Sequence, residues 1–417
     1  MTLLSLEAEP ACPEAPIAEL RAPHPEPAAA SSAVAAVSSA VAAVPLVAAP
    51  GLRIQPADLS AIPRETWDRL AAATPSATPF SAWAFHRAWW DAYGDNAHEQ
   101  TLVAVPVDAP PDAEPVAIIP LMHRHEVEPE DAERHTTLRH EHGASLTPVP
   151  PTAKAIFFGA SYHADYATVL AAPRDLPAVG EALVAHLASA ARPGGSGGTE
   201  QAWDVVDLRR LRRDDPAADV LAAAFRRREL AEGWTLNLER EDVCPVATLP
   251  AGATIDDFLG SLGKKERHEI RRKVRRAEAA GEVALTESTN PLAGLEAFID
   301  LHQRRWGADG LFPPTAGGAQ SRAFFRRLFE LFGPGGALRL SFLTVGGRRI
   351  GAGVHFETAD AVLYYNAGVD PEARDLSPGV VLVERFVRRA LERGQRRIDF
   401  LRGGEGYKYE WGAGDEP

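Results

Sequence analysis

The densest regular patterning of apolar and polar positions lies near the C-terminus. Leu338-Arg-Leu-Ser-Phe-Leu-Thr-Val345, Arg349-Ile-Gly-Ala-Gly-Val-His-Phe-Glu357 and Ala361-Val-Leu-Tyr-Tyr-Asn-Ala-Gly368 are runs rich in apolar residues. Gly346-Gly347 and Thr358-Ala-Asp360 separate them, so they read as three hairpin-linked strands. The period then changes. Val380, Val383, Val387, Ala390 and Leu391 share one helical face, which predicts a helix from Val380 to Arg393, ended by Gly394. Arg396 to Leu401 reads as a further strand. Ser377 is a good N-cap, Pro378 suits the first turn, and Gly379 has no side chain to block a ligand. The free N–H groups and dipole of such a helix start make a seat for phosphate.

Upstream patterns are shorter. They predict helices over Pro63–Ala73, Ser81–Tyr93, Leu176–Ala190 and Pro216–Arg228. Strands are expected at Thr101–Val107, at Val116–Leu121 and, buried, at Trp203–Leu208. Phe157-Phe-Gly159 and Asp165-Tyr166 mark turns and a short strand, and Pro193 to Gly198 a flexible loop. Mixed strands and helices place the chain in the α/β class, with no phosphate turn in this first half. Residues 1–50 differ: they are rich in Ala, Pro, Val and Ser, and Ser31 to Val37 repeats unchanged as Ser38 to Val44. That composition predicts a disordered tail. Glu7, Glu9 and Glu14 argue against a secretory signal, and the Ala-rich, Ser-containing stretch broken by Pro45 argues against a membrane span. A cytoplasmic protein is expected.

The 417 residues suffice for two or three domains, and 45% apolar with 24% charged residues is ordinary for a soluble globular chain. The net charge of −13 argues against global attraction to nucleic acid or an anionic membrane, leaving local basic patches open; no DNA partner is expected. Cys12 and Cys244 are the two cysteines, too few for a disulfide framework or a Cys-based metal site.

Local chemistry is more specific. Residues 262–279 hold eight Lys or Arg and three Glu, a net of +5, with only Ile270 and Val274 as an apolar stripe. Either the helix contacts an anion or it is a solvated face with internal ion pairs. His302 and Trp306 end a helix that starts near Leu292; the histidine is either structural or catalytic, and the tryptophan suits a pocket wall or the core. His355 and Glu357 share one strand face and act as acid–base groups if that face lines a cleft. Asp399 sits in an otherwise apolar strand, where a carboxylate needs a partner or a cleft, so it is a candidate general base, with an arginine salt bridge as the alternative. In Gly403-Gly-Glu-Gly-Tyr-Lys408, Tyr407 is a candidate proton donor or substrate ligand and Lys408 a candidate oxyanion or phosphate ligand. His123, His125, His135, His140 and His142 include His-x-His twice, but in a loop rich in Glu and Arg and with no carboxylate–histidine helix motif, so no metal is expected.

Several motifs in order resemble one family. They are Gly263-Lys-Lys-Glu-Arg-His-Glu-Ile-Arg-Arg-Lys-Val-Arg-Arg276, Leu301-His-Gln-Arg-Arg-Trp306, Tyr364-Tyr-Asn-Ala-Gly-Val-Asp370, Ser377-Pro-Gly379, Ile398-Asp-Phe400 and Gly406-Tyr-Lys408. Together they resemble the GCN5-related N-acetyltransferase (GNAT) superfamily, in its FemAB-like branch, also labelled CelD/BcsL or BioF2-like. The resemblance implies tandem GNAT-like units, 51–235 and 236–417, each a mixed sheet flanked by helices. It implies acetyl-CoA or another acyl-CoA as donor, with phosphates at Ser377, Pro378, Gly379 and Val380. Asp399, Lys408, Tyr407 and His355 become the catalytic candidates. His302, Trp306, Arg271 and Tyr365 become contacts to an amine or hydroxyl acceptor, a small molecule or a glycan. The longer Gln/Arg-x-x-Gly-x-Gly/Ala loop of the superfamily is replaced here by Ser-Pro-Gly. Two rival expectations are an aminoacyl-tRNA-dependent transferase and a non-enzymatic partner in exopolysaccharide synthesis.

Overall fold

A computed structural model describes residues 51–110, 113–124, 154–191, 203–238 and 242–416. The tail with its duplication, the 193–198 loop, His125, His135, His140 and His142 lie outside the described residues. The fold is mixed α/β.

In the first half, residues 51–238, strands β1 (Leu52–Pro56), β3 (Leu102–Pro106), β4 (Ala117–Ile119) and β7 (Leu170–Ala171) form one sheet in that order. Strands β2 (His98–Glu99), β5 (Leu121–Arg124), β6 (Ala155–Phe158) and β8 (Val205–Asp207) form another. The single strand expected at Val116–Leu121 is thus two strands in two sheets. Pro120 lies at the break, where a missing N–H cannot continue a ladder, and its carbonyl accepts from Gly159 N–H. The strand expected to be buried at Trp203–Leu208 is only half-buried. Helices α1 (Arg64–Ala73), α2 (Trp83–Tyr93), α3 (Leu176–Ala191) and α4 (Pro216–Glu232) complete this half. Gly233, left-handed at φ 71°, closes α4.

The second half, 242–416, is built on a seven-stranded sheet. Its strands are β9 (Cys244–Thr248), β10 (Val283–Glu287), β11 (Leu338–Val345), β12 (Arg348–Glu357), β13 (Ala361–Val369), β14 (Arg397–Asp399) and β15 (Gly414–Glu416), in the order β10-β11-β12-β13-β14-β9-β15. The three hairpin-linked strands appear as expected; β9, which slots between β14 and β15, was not anticipated. All pairs are antiparallel except β13 with β14. Helices α5 (Ile255–Ser261), α6 (Lys264–Ala280), α7 (Pro291–Trp306), α8 (Ala316–Phe332), α9 (Pro378–Glu392) and α10 (Gly406–Tyr409) surround it.

Two cores cover the two faces of this sheet. Ile270, Val274 and Ala277 of α6 and Val381, Leu382 and Phe386 of α9 pack on Leu343, Ile350, Val362 and Tyr364. The opposite face, with Leu340, Val354, Phe356 and Leu363, meets α7, α8 and the first half in a shared core. Phe80 and Phe85 reach Phe356 and Phe324 at ring distances of 5.3 and 5.5 Å. Tyr93 bonds Ser321 Oγ at 3.0 Å, and Arg327 bonds Asp91 at 2.6 Å. Each buried aromatic ring contributes about 2–3 kcal/mol, so the halves are joined by packing rather than by a tether.

Candidate active site

Strands β13 and β14 pair only from Ala361–Arg397 to Leu363–Asp399. Strand β13 runs on to Val369, whereas the chain after Asp399 turns away: Phe400 N–H donates to Pro245 O, and Leu401 takes the left-handed conformation at φ 59°. The two parallel strands therefore part. At the same level the β12–β13 register shifts, with Val354 opposite Asn366 and Phe356 opposite Leu363. One extra residue at Tyr364–Tyr365 thus faces His355, a bulge of the kind that re-aims side chains beside active sites. Tyr364, Phe400 and Tyr407 stand in a row at the parting, at ring distances of 6.3 and 6.2 Å.

Helix α9 starts past the end of β13. Asp370 fixes the connection: its buried carboxylate accepts from Arg304 and Arg348, each at 2.6 Å, and from Glu372 N–H at 3.0 Å. Ser377 occupies the N-cap but corrects the expectation for it. It is left-handed, φ 51°, and its side chain makes no capping bond. Its Oγ instead accepts from Arg276 of α6 at 2.7 Å. The first intrahelical bond runs from Val381 N–H to Ser377 O, and Pro378 has no N–H. Gly379 and Val380 N–H thus have no acceptor within the helix. A side chain at Gly379 would meet open space. The basic helix and the helix start, read separately in the sequence, are neighbours.

Asp399 is 5% exposed and its partner is not an arginine. Tyr166 of the first half donates its hydroxyl to the carboxylate, 3.1 and 2.9 Å from the two oxygens, and Leu401 N–H donates at 2.8 Å. Burial pushes the Asp399 carboxyl up to about 6, against the pull of those donors. A carboxylate near neutrality suits a general base.

Lys408 is also buried, but in another role than the sequence suggests. Its ammonium donates to the carbonyls of Leu401, Arg402 and Gly403 at 3.1, 2.8 and 2.9 Å and pairs with Glu405 at 2.8 Å. It braces the turn after Asp399 and has no proton left for an oxyanion or phosphate. Tyr407, next to it, is 44% exposed.

The other sequence candidates scatter. His355 is buried under Phe386 of α9, bonded to Glu357 at 3.2 Å, with burial holding its pKa down; Glu357 also pairs with Arg393. That strand face is covered by a helix rather than opening on a cleft, so neither is poised for substrate. His302 is packed against Phe298 and Phe312, and burial lowers its pKa to about 4. Trp306 is 36% exposed, with Arg305 over its ring. Arg271 pairs with Asp256 on the surface. Tyr365 points into the junction, its hydroxyl on His163 O at 2.9 Å. Sequence reasoning gave no site role of their own to Tyr166, Asp370 and Arg276, although Asp370 and Arg276 lay within quoted motifs. Among the described residues no group of three or more His, Cys, Asp or Glu is arranged to hold a metal, and no helix is long and apolar enough to cross a membrane.

Parted parallel strands beside an open helix start agree with a comparison of sequence. Residues 264–409 match the family model of the acetyltransferase (GNAT) domain. The second half therefore carries a GNAT domain. No curated protein matches the sequence. Among solved structures, the crystal structure of FemX is 13% identical, covering 85% of this chain and 94% of FemX with a TM-score of 0.51. A conserved protein from Bacteroides thetaiotaomicron VPI-5482 is 13% identical over 86% of this chain and 95% of its own, TM-score 0.48. A tandem GNAT protein from the clavulanic acid biosynthesis pathway is 12% identical over 87% and 95%, TM-score 0.42. At such identity the likeness to FemX concerns the fold alone, and it extends over both halves. The GNAT domain carries the acyltransferase fold.

Proposed function

We propose that the protein transfers an acyl group from acyl-CoA, acetyl-CoA being the first choice, to an amine or hydroxyl acceptor. The observation that carries this is the parting of β13 and β14 beside the open start of α9. Donor phosphates take the N–H groups of Gly379 and Val380, with Arg276 as counter-ion. The thioester arm lies along β13 toward the Tyr364–Tyr365 bulge. Asp399 accepts the acceptor's proton as its nitrogen or oxygen attacks the carbonyl carbon. The C–S bond then breaks, and Tyr407 protonates the departing thiolate. No metal and no covalent enzyme intermediate is required; positioning and oriented donors supply the rate. Two units, near 51–235 and 236–417, meet at Asp399, and an acceptor from polysaccharide or cell-envelope synthesis enters there.

Calorimetric titration with acetyl-CoA and free CoA tests this reading. Saturable binding that Gly379→Glu abolishes supports it; absence of binding to either compound overturns the acyl-CoA donor. One observation favours a second donor, a charged tRNA. Lys264, Arg267, His268, Arg271 and Arg275 line one surface cleft of about 300 Å³ on α6. RNA retained after purification, with no affinity for CoA, is the outcome that selects it.

A further inference from the structure

The Asp165-Tyr166 dipeptide of the first half grips the turn that carries the proposed base. Tyr166 holds both oxygens of Asp399, and Asp165 sits 3.5 Å from Arg402. We propose that Tyr166 is a positioning residue for Asp399, so that the acyltransfer site is completed only across the junction of the two halves. This rests on the reading of Asp399 as general base.

Three features support it. Tyr166 is buried, its ring edge-on to Phe80 at 6.1 Å and under the guanidinium of Arg212 at 5.6 Å, which fixes the hydroxyl's direction. Burial, reinforced by the Asp399 charge, pushes the hydroxyl far above its ordinary value; it stays protonated and always donates. Finally, Leu401 N–H comes from a residue in the left-handed conformation, so the donors around Asp399 are built into a shaped turn rather than met by chance. The other charged or titratable groups around Asp399 are Arg397 on its own strand, Arg402 and Lys408 on the following turn and helix, Cys244 on β9, and Asp165, with Arg210 behind it. Of the two donors bonded to Asp399, Leu401 N–H reaches one carboxylate oxygen and the Tyr166 hydroxyl reaches both.

A hydrogen bond to the ionised form favours ionisation, so its loss raises the titration midpoint. The test follows the carboxyl stretch of ¹³C-aspartate by infrared difference against the matching Asp399→Asn protein, which reads Asp399 without any turnover. Tyr166→Phe moves the midpoint from about 6 upward by about one pH unit. Tyr93→Phe removes a different buried hydroxyl that also bridges the halves, to Ser321, and leaves the midpoint in place. Should Tyr166→Phe fail to fold, 3-fluorotyrosine at 166 keeps the shape and strengthens the donor, and the midpoint falls. An unmoved midpoint in either protein overturns the inference. Thiol release from acetyl-CoA, followed against pH in the same proteins, separates the two levels. An acidic limb that shifts with the Tyr166→Phe midpoint supports both. Turnover untouched by Asp399→Asn, with a midpoint that still responds to Tyr166, removes the base and leaves the positioning contact standing.

Discussion

Lys408→Met removes an ammonium while keeping most of the buried stem. In the wild type that ammonium serves the carbonyls of Leu401, Arg402 and Gly403 and the Glu405 carboxylate. The bond to Leu401 O is buried; the other two are partly so. A buried carbonyl left without a partner costs about 1–3 kcal/mol, and each half-exposed one, which water can reach, about 0.5–1.5 kcal/mol. The Glu405 pair, with its carboxylate 42% exposed, adds less than about 1 kcal/mol. The expected loss is about 3–5 kcal/mol. For a unit of this size that is roughly a 10 °C fall in melting temperature. Leu401, held left-handed by this brace, then relaxes and withdraws its N–H from Asp399. Thermal unfolding followed by circular dichroism, with Lys408→Arg alongside, measures it. If melting falls by less than about 2 °C while turnover is lost, Lys408 is the oxyanion ligand that the sequence suggested and the bracing role is refuted.

Three further outcomes are expected. The Asp399 carboxyl titrates near 6 in the folded protein against an ordinary 3.8, so its contribution to stability is full below pH 3.8 and is lost as pH rises through 6. That difference corresponds to up to about 3 kcal/mol, which Asp399→Asn abolishes; denaturant midpoints of variant and wild type that keep a constant gap from pH 4 to 7 contradict it. Gly379→Glu, whose new side chain meets open space and adds a negative charge at a helix start, melts within about 2 °C of the wild type yet loses acetyl-CoA; retained affinity removes the seat. Gly368→Ala puts a Cβ 2.4 Å from His302 N and 2.7 Å from Leu301 C, so α7 must move off β13, at a cost of about 2–3 kcal/mol by chemical denaturation; a loss under about 1 kcal/mol contradicts that close approach.

Much of the second half was legible because its order is local. Strands β11 to β13 are apolar-rich runs separated by short Gly or Asp turns, and α9 repeats its apolar face every turn. Pro378 and Gly379 mark the helix start within three residues. Helix α8 went unread although Phe324, Phe325, Leu328 and Phe329 recur at helical spacing, a signal diluted by Gly317 and Gly318. Strand β9 could not be placed from its own residues. Five residues, Cys244–Thr248, hold no information on which strand they join, and their neighbours in the sheet arise about 150 residues later.

The sequence by itself determined the elements that carry the site: the hairpin-linked strands, the open helix start, the basic helix and the lone carboxylate at Asp399. Their order sufficed to indicate the family. Only the tertiary structure decided what each polar group does. It turned His355 and Glu357 under α9, because face assignment depends on which side a helix packs. It folded Lys408 back on three carbonyls and gave Asp399 a tyrosine 233 positions away in place of an arginine. Periodicity reports whether a side chain points in or out of its own element. Which partner it meets there is set by the packing of elements distant in the chain, and that partner fixes its charge and its role.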